Sequence, residues 1–182
     1  MNLLFERFVS RLIEEILPAR LYRVLSQSRF NSVIWNVTKQ RSYARIVPDV
    51  VVERRDAPDR RVAIDAKYKL YDERGFDQSD IYQAFLYAFA FGAPASGALP
   101  VSLLLYPATV EEPESLRLRV RTLYGGAGAE IVGIGLPVAE LLTELTGGAD
   151  DRPLCGRLVE AIESPFGMPE IGQAQRAVVA SA

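Results

Sequence analysis

The amino-acid sequence predicts an α/β fold in which a mixed β-sheet is flanked by helices. Two stretches rich in Val and Ile, 45–53 and 61–69, alternate with a period of two and are separated by a turn-forming segment at 56–59. Residues 2–17 carry apolar side chains at helical spacing, and residues 79–91 are also helical in character. We therefore expect a helix, three antiparallel strands, a second helix and a further strand, with an added β-hairpin and C-terminal helices.

Length and composition indicate one domain and exclude several kinds of chemistry. The 182 residues, 49% of them hydrophobic, suffice for a single domain with a substantial core. The chain has no histidine, which excludes Ser-His-Asp triads and histidine metal sites. Its single cysteine, Cys155, cannot form an intrachain disulfide and fits a reducing cytoplasm. The charged N-terminal segment is neither a signal peptide nor a membrane span, so we expect a cytoplasmic protein without membrane contact.

Charge is distributed unevenly along the chain. Residues 1–74 hold fifteen Lys and Arg against ten Asp and Glu, whereas residues 75–182 hold six against thirteen. The first segment is therefore net positive, as a protein that binds a phosphate backbone requires. Chance variation in surface charge explains the same pattern equally well.

The N-terminal segment is predicted to be an amphipathic helix that ends at Pro18. Glu6 precedes the apolar Ile13 by seven residues, which places the two about 20° apart around the helix axis. Glu6 then lies at the border of the apolar stripe, where it can face a site beside the core. The alternative is a solvated residue that pairs with a nearby arginine.

The predicted hairpin brings two carboxylates together. With a turn centred between Ala57 and Pro58, opposed residue numbers sum to about 115, so Asp49 opposes Asp65 or Ala66. Opposed side chains have Cβ atoms roughly 4.5–5.5 Å apart, and like charges at that distance destabilise the sheet unless a cation neutralises them.

Lys67 is predicted to lie beside these carboxylates. It shares a strand face with Asp65 and Lys69 because side chains alternate along a strand. Two acidic oxygen ligands suited to Mg²⁺, with an ammonium beside them, would form a site for a phosphate ester and an attacking water.

The remaining elements follow from turn residues and apolar runs. Residues 19–31 have no clear period and are interpreted as a short helix or a loop. We expect further strands at 33–38, 101–106, 116–124 and 130–138, and helices at 137–145 and 154–162. Residues 1–166 would form the domain, and residues 167–182, which lack periodicity, a flexible C-terminal tail.

Several of these segments resemble a known family. Pro48-Asp49, fifteen intervening residues and Asp65-Ala66-Lys67 are similar to the PD-(D/E)xK nuclease signature. The segments 3–9, 48–52, 64–69 and 80–84 resemble the nuclease region of the McrC family, the cleaving subunit of modification-dependent restriction systems. The similarity covers about residues 1–91 and implies a PD-(D/E)xK, restriction-endonuclease-like core.

The resemblance implies a set of site residues. Asp49, Asp65, the Ala66 carbonyl and Glu6 would bind Mg²⁺, with Mn²⁺ as a substitute.

The resemblance also assigns roles to two residues that do not bind the metal. Lys67 would stabilise or orient the attack, and Gln83 would orient Lys67 or the scissile phosphate. For Gln83 and Asp80 a capping box at the start of the second helix is an equally weighted alternative.

The favoured hypothesis is a Mg²⁺-dependent DNA endonuclease that resembles the cleavage module of a McrBC-type restriction system. Its expected partners are duplex DNA and an AAA+ GTPase of McrB type, which in McrC-like proteins is engaged by a long region that precedes the nuclease helix. Nothing in the sequence resembles a base-reading module, so DNA affinity should be mostly electrostatic.

Two alternatives remain open at this stage. One is a module with a nuclease-like fold that holds DNA or contacts a partner without cleaving. The other is a structural ion-pair network of Asp49, Asp65, Lys67 and Lys69 that binds neither metal nor DNA.

Overall fold

Four α-helices and eight β-strands occupy the residues that the computed structural model describes, which are 2–71, 75–92, 99–109, 115–124, 126–147 and 152–166. The helices are α1 (Asn2–Ile16), α2 (Gln78–Phe91), α3 (Val138–Thr146) and α4 (Pro153–Glu163), which continues into a 3₁₀ turn, Ser164–Phe166. The strands are β1 (Tyr22–Ser26), β2 (Phe30–Asn36), β3 (Arg41–Ile46), β4 (Val50–Arg54), β5 (Arg61–Ala66), β6 (Val101–Pro107), β7 (Leu116–Arg121) and β8 (Ala127–Leu136).

A six-stranded mixed sheet in the order β1-β4-β5-β6-β8-β7 forms the centre of the fold. Strands β1, β4 and β5 are antiparallel, β5, β6 and β8 are parallel, and β7 returns antiparallel to β8. The parallel pair β5 and β6 is connected through α2, as a crossover requires. The expected mixed α/β fold is therefore confirmed, including the added β7–β8 hairpin and the C-terminal helices.

The register of the β4–β5 hairpin agrees with the prediction to within one residue. Val50 pairs with Ile64 and Glu53 with Arg61, so opposed residue numbers sum to 114. Asp49, which directly precedes β4, consequently lies opposite Asp65 at the end of β5.

The first predicted strand, 45–53, is wrong in its extent. Arg45 and Ile46 end β3, and β4 begins only at Val50. Pro48 lies between the two strands, where it has no N–H to donate to a ladder.

The prediction for the preceding segment also needs correction. Tyr22–Ser26 is an edge strand paired with β4, although its sequence was interpreted as a helix or loop. The predicted strand at 33–38 corresponds to β2, but it pairs with β3 in a separate two-stranded sheet. The three antiparallel strands of the main sheet are therefore β1, β4 and β5, because non-local pairing with β4 overrides the weak local pattern of β1.

Helices cover both faces of the main sheet. On one face α1, α3 and α4 pack on the even-numbered β5 residues Val62 and Ile64, and α1 contributes a buried apolar stripe that confirms its predicted amphipathicity. On the other face α2 packs on Ala63, on Leu104 of β6 and on β3. Asp65 belongs to this second face, because side chains alternate along β5.

No helix among the described residues is long and apolar enough to cross a membrane. The expected C-terminal tail, 167–182, lies outside the described residues.

Candidate active site

Asp65 is a buried carboxylate near the carboxyl end of β5. Its exposed fraction is 3%, and the Lys67 Nζ lies 2.8 Å from Oδ2. Despite this ion pair, Oδ2 receives no hydrogen bond of acceptable geometry from any residue that the structure describes. A buried acceptor without such a hydrogen bond is costly and rare, which marks this atom as a point where a ligand can bind.

Asp49 is fixed by two hydrogen bonds at the same end of the sheet. Its Oδ2 accepts a hydrogen bond from the Ala66 backbone N–H at 2.9 Å, and its Oδ1 accepts one from the Gln27 side-chain amide at 2.9 Å. The Gln27 backbone N–H also donates to the Asp49 carbonyl at 2.9 Å. The Ala66 backbone N–H thus contacts Asp49, and the predicted ligand role of the Ala66 carbonyl stays a prediction.

Burial, together with the charge of the neighbouring Asp49 carboxylate, raises the pKa of Asp65 to about 7, although Lys67 opposes the rise. One ammonium therefore compensates two carboxylates only in part. Perturbation of this kind, from burial together with a like charge, is typical of functional sites.

Lys67 is held by three polar groups. Besides Asp65, its ammonium donates to Gln83 Oε1 at 2.8 Å and lies 3.6 Å from Asp80 Oδ1. Burial lowers the pKa of Lys67, but Asp65, Asp80 and Asp49 outweigh burial and raise it overall. The side chain therefore stays positively charged at neutral pH.

The orientation of the Gln83 amide is set by a chain of hydrogen bonds. Gln83 Nε2 donates to the Tyr87 hydroxyl at 2.8 Å, and that hydroxyl donates to the Val47 carbonyl at 3.3 Å. Because the Tyr87 proton is used for Val47, its oxygen can accept from Gln83, and the Gln83 oxygen faces Lys67. The structure thus brings Gln83 to Lys67, in the place that the family resemblance implies.

The capping-box alternative for Asp80 and Gln83 is wrong for this structure. The N-cap of α2 is Asp77, and no side-chain capping bond is formed. Asp80 instead accepts hydrogen bonds from Lys69, at 2.6 Å, and from the Tyr71 hydroxyl. These bonds and the Lys67 charge outweigh burial and hold the pKa of Asp80 below its ordinary value.

Asp80 and Tyr87 are the site residues whose contacts sequence reasoning missed. A signal for them existed, since Asp80, Gln83 and Tyr87 recur at spacings of three and four on one face of α2. The capping-box pattern of Asp80 and Gln83 offered a second interpretation of the same residues.

Glu6 lies near Asp49 and Lys67. Burial raises its pKa, the Asp49 charge raises it further, and Lys67 lowers it, so both groups are near enough to act on it. The Phe5 ring packs 5.8 Å from the Tyr68 ring, which anchors this turn of α1 to the chain directly after Lys67.

The proposed structural network of Asp49, Asp65, Lys67 and Lys69 is not formed as a unit. Lys69 points instead to Asp77 and Asp80, each at 2.6 Å.

The oxygen donors present fit a hard divalent cation. Among the described ranges no group of three or more His, Cys, Asp and Glu side chains is placed to hold a metal ion. Mg²⁺ does not need such a group, because it commonly binds through one or two carboxylates and keeps water and phosphate oxygens as its other ligands. Asp65 Oδ2, which is buried, lies 2.8 Å from the Lys67 ammonium and receives no hydrogen bond of acceptable geometry from a described residue, is a candidate donor.

The fold and the site define a class: a mixed-sheet α/β protein with two carboxylates and a lysine at the carboxyl end of a parallel strand pair. A family profile described as "McrBC 5-methylcytosine restriction system component" matches residues 1–107. The chain therefore belongs to the family of McrBC 5-methylcytosine restriction system components, which confirms the resemblance to McrC.

A solved assembly of Thermococcus gammatolerans McrB AAA+ hexamers with bound McrC contains a structurally similar chain. The TM-score is 0.54 and the identity 18%, over 90% of the present chain and 33% of the solved one. The present chain thus spans about a third of the length of that chain, and the likeness concerns the fold. No curated protein sequence matches the chain.

Proposed function

We propose that the chain is the nuclease module of a McrBC-type restriction system and hydrolyses DNA phosphodiester bonds at a metal-dependent PD-(D/E)xK site. The observation that carries this proposal is the buried, raised-pKa Asp65 opposite Asp49, with one oxygen lacking a good hydrogen bond. A carboxylate pair of this kind lowers the free energy of unfolding, and energetically unfavourable features of this sort concentrate at functional sites.

The residues have distinct roles in this proposal. Asp49, Asp65 and the Ala66 carbonyl would hold Mg²⁺ or Mn²⁺, with Glu6 contributing from α1. When bound, the ion supplies Lewis-acid stabilisation of the phosphate and lowers the pKa of a water molecule.

Lys67 provides the fixed positive charge of the site. Gln83 and Asp80 restrict its ammonium, so it needs little reorganisation to stabilise charge that develops on a phosphate oxygen. Gln83 would act through Lys67 as a positioning residue, and Tyr87 holds Gln83 in that orientation.

The solved relative suggests a partner. That assembly contains McrB AAA+ hexamers with bound McrC, and we propose that the present chain also works with a nucleotide-hydrolysing AAA+ protein of McrB type. Cleavage by the chain alone should then be slow, with little discrimination among duplex sequences or methylation states.

The test is a plasmid-nicking assay with the purified chain. We expect Mg²⁺ or Mn²⁺ to support nicking of supercoiled DNA, EDTA to stop it, and an AAA+ partner to accelerate it. DNA binding without any nicking, with the partner also present, would instead identify the non-cleaving module. Fast, salt-tolerant or methylation-selective cleavage by this chain alone would reject partner dependence and leave the nuclease in place.

A further inference from the structure

One segment of the chain contains basic residues and no acidic residue. Residues 16–48 contain six Lys and Arg and no Asp or Glu, in a chain of net charge −2. Four of the six lie on or next to the β2–β3 hairpin and are exposed: Arg29, Lys39, Arg41 and Arg45. None of these four forms a salt bridge with a residue that the structure describes.

The inner face of this hairpin is packed against α2. The Phe30 ring meets the Phe91 ring edge-on at 4.6 Å, and Ile46 is buried in the same cluster. The hairpin is therefore held on the body of the protein by its apolar face.

The outer face of the hairpin faces solvent. Arg41, Tyr43 and Arg45 share it because side chains alternate along β3, and all three are exposed. The exposed fraction of Tyr43 is 73%. An exposed aromatic ring between two guanidinium groups that have no salt-bridge partner among the described residues is a composition typical of an interface with a polyanion, because Arg and Tyr both bind phosphate oxygens.

The base of the hairpin is part of the candidate active site. Gln27, just before β2, donates two hydrogen bonds to Asp49, just after β3. Chain length limits the distance from Asp49 to about 14 Å at Arg45 and about 29 Å at Arg41. A duplex whose phosphate lies at Asp49 and Asp65 therefore has further phosphates within reach of this outer face.

We infer that the outer face of the β2–β3 hairpin binds the phosphate backbone of duplex DNA beside the cleavage site. The inference rests on the proposed nuclease function for its ligand. Arg41 and Arg45 supply the main contacts, with Lys39 and Arg29 extending the positive field and Tyr43 contacting the backbone between them. Such contacts hold the duplex without selecting a sequence.

The test is DNA binding by the full chain, measured as fluorescence anisotropy of a labelled duplex in EDTA, across a range of KCl concentrations. We expect Arg41→Ala/Arg45→Ala to bind about tenfold more weakly and to lower the slope of log affinity against log salt by about 2, since each lost phosphate contact removes about 0.9. Arg41→Lys/Arg45→Lys should keep most of the affinity, because charge carries the contact.

A matched control removes the same charge elsewhere. Arg20 and Arg121 are exposed and form no salt bridge with a described residue, and Arg20 lies in the turn before β1, at the other end of β4 from Asp49. Arg20→Ala/Arg121→Ala should bind nearly as wild type does. Thermal unfolding of both double variants should match wild type, as expected for exposed residues that form no salt bridge within the described part of the chain.

Each outcome decides the inference. Unchanged affinity and salt slope in Arg41→Ala/Arg45→Ala, or an equal loss in the control variant, overturns the hairpin surface. Cleavage by wild type in Mg²⁺ is measured separately, so a wild-type protein that cleaves while the hairpin variant binds normally retains the nuclease and rejects the surface. Weakened binding in the variant, with no wild-type cleavage even when the AAA+ partner is present, retains the surface and rejects the nuclease.

Discussion

Asp65 and Glu130 are buried carboxylates in the same sheet, with exposed fractions of 3% and 6%, yet their surroundings differ. Glu130 accepts hydrogen bonds from Arg119 Nε at 2.9 Å and from Arg117 at 3.2 Å, both on the neighbouring strand β7. Among the residues that the structure describes, Asp65 forms a salt bridge with one cation, Lys67, which also contacts Asp80 and Gln83. The negative charge of Glu130 is therefore fully compensated by two arginines, whereas the negative charge of Asp65 is not fully compensated by Lys67.

The two carboxylates also lie at opposite ends of the parallel strands. Glu130 pairs with Val101 at the start of β6, whereas Asp65 pairs with Leu104 toward its end. The carboxyl ends of parallel strands are where open α/β sheets bind ligands. The charge of Asp65 is incompletely compensated at that end and the charge of Glu130 is compensated at the other. This difference sets the candidate site apart from a contact that supports the fold.

Asp65→Ala should show the largest effect in this comparison. If the chain is the proposed nuclease, we expect cleavage to fall by on the order of a thousandfold or more, because the proposed metal ligand is lost. The metal-free protein should be as stable as wild type or more so, since one of two opposed carboxylates is gone. Nicking rates and urea unfolding in EDTA measure the two effects, and retained cleavage in a preparation free of contaminating nuclease would reject the assignment.

The pH dependence of stability should reveal the same carboxylate. The pKa of Asp65 is about 7 in the native state against 3.8 ordinarily, so between these pH values the native state binds more protons than the unfolded state. The free energy of unfolding from this group should fall, by on the order of a few kcal/mol, as pH rises from about 4 to about 7, and then level off.

The difference between the pH profiles of wild type and Asp65→Asn isolates the contribution of Asp65. Asp65→Asn should lack the fall, and Mg²⁺ should reduce it in wild type because the cation favours the ionised carboxylate. Unfolding curves at several pH values measure both effects. Parallel pH profiles of wild type and Asp65→Asn would contradict the raised pKa.

Asp80→Asn should give an intermediate result. Asp80 is buried, accepts hydrogen bonds from Lys69 and Tyr71, and lies near Lys67. We expect a loss of about 1–3 kcal/mol in stability and roughly a tenfold slower cleavage, since Lys67 loses one of its restraints. A positioning role further predicts that the loss appears in kcat more than in KM, whereas a purely structural role would leave both unchanged per folded molecule.

Glu130→Gln should show the smallest effect, and it should lower stability without changing cleavage. Its arginine partners are about half exposed, so solvent screens the lost ion pairs, and we expect a cost of about 1 kcal/mol in stability. Cleavage per folded molecule should stay at the wild-type rate. Loss of cleavage without loss of stability in Glu130→Gln would contradict the division between the two ends of the sheet.

The parts of the site that lie in one hairpin could be predicted from the sequence. Asp49 and Asp65 lie at the open end of two strands that a short turn connects. The centre of that turn determines which residues oppose each other. β5 ends at Ala66, before the predicted end at residue 69, yet Lys67 still contacts Asp65 as the predicted strand alternation indicates. These are local relations, for which pattern and turn chemistry suffice.

The parts that depend on distant pairing could not be predicted. β1 forms because it pairs with β4, about thirty residues away in sequence. Its own sequence carries no pattern strong enough to predict a strand. Asp80 was ambiguous for the same reason, since its capping pattern is local and its partners Lys69 and Tyr71 come from the loop after β5. The separation of β2 and β3 into their own sheet likewise depends on packing against α2.

The arginines of β7 have a second consequence, which concerns aggregation. Among the strands that the structure describes, β7 is an edge of the main sheet, and the outer backbone groups of an edge strand can pair with a strand from another molecule. Arg117, Arg119 and Arg121 alternate along this edge and are exposed, and identical edges of two molecules would bring these charges together. The side chains that compensate Glu130 therefore also keep the open edge of the sheet from pairing with another copy, which matters most at the high concentrations of expression and purification.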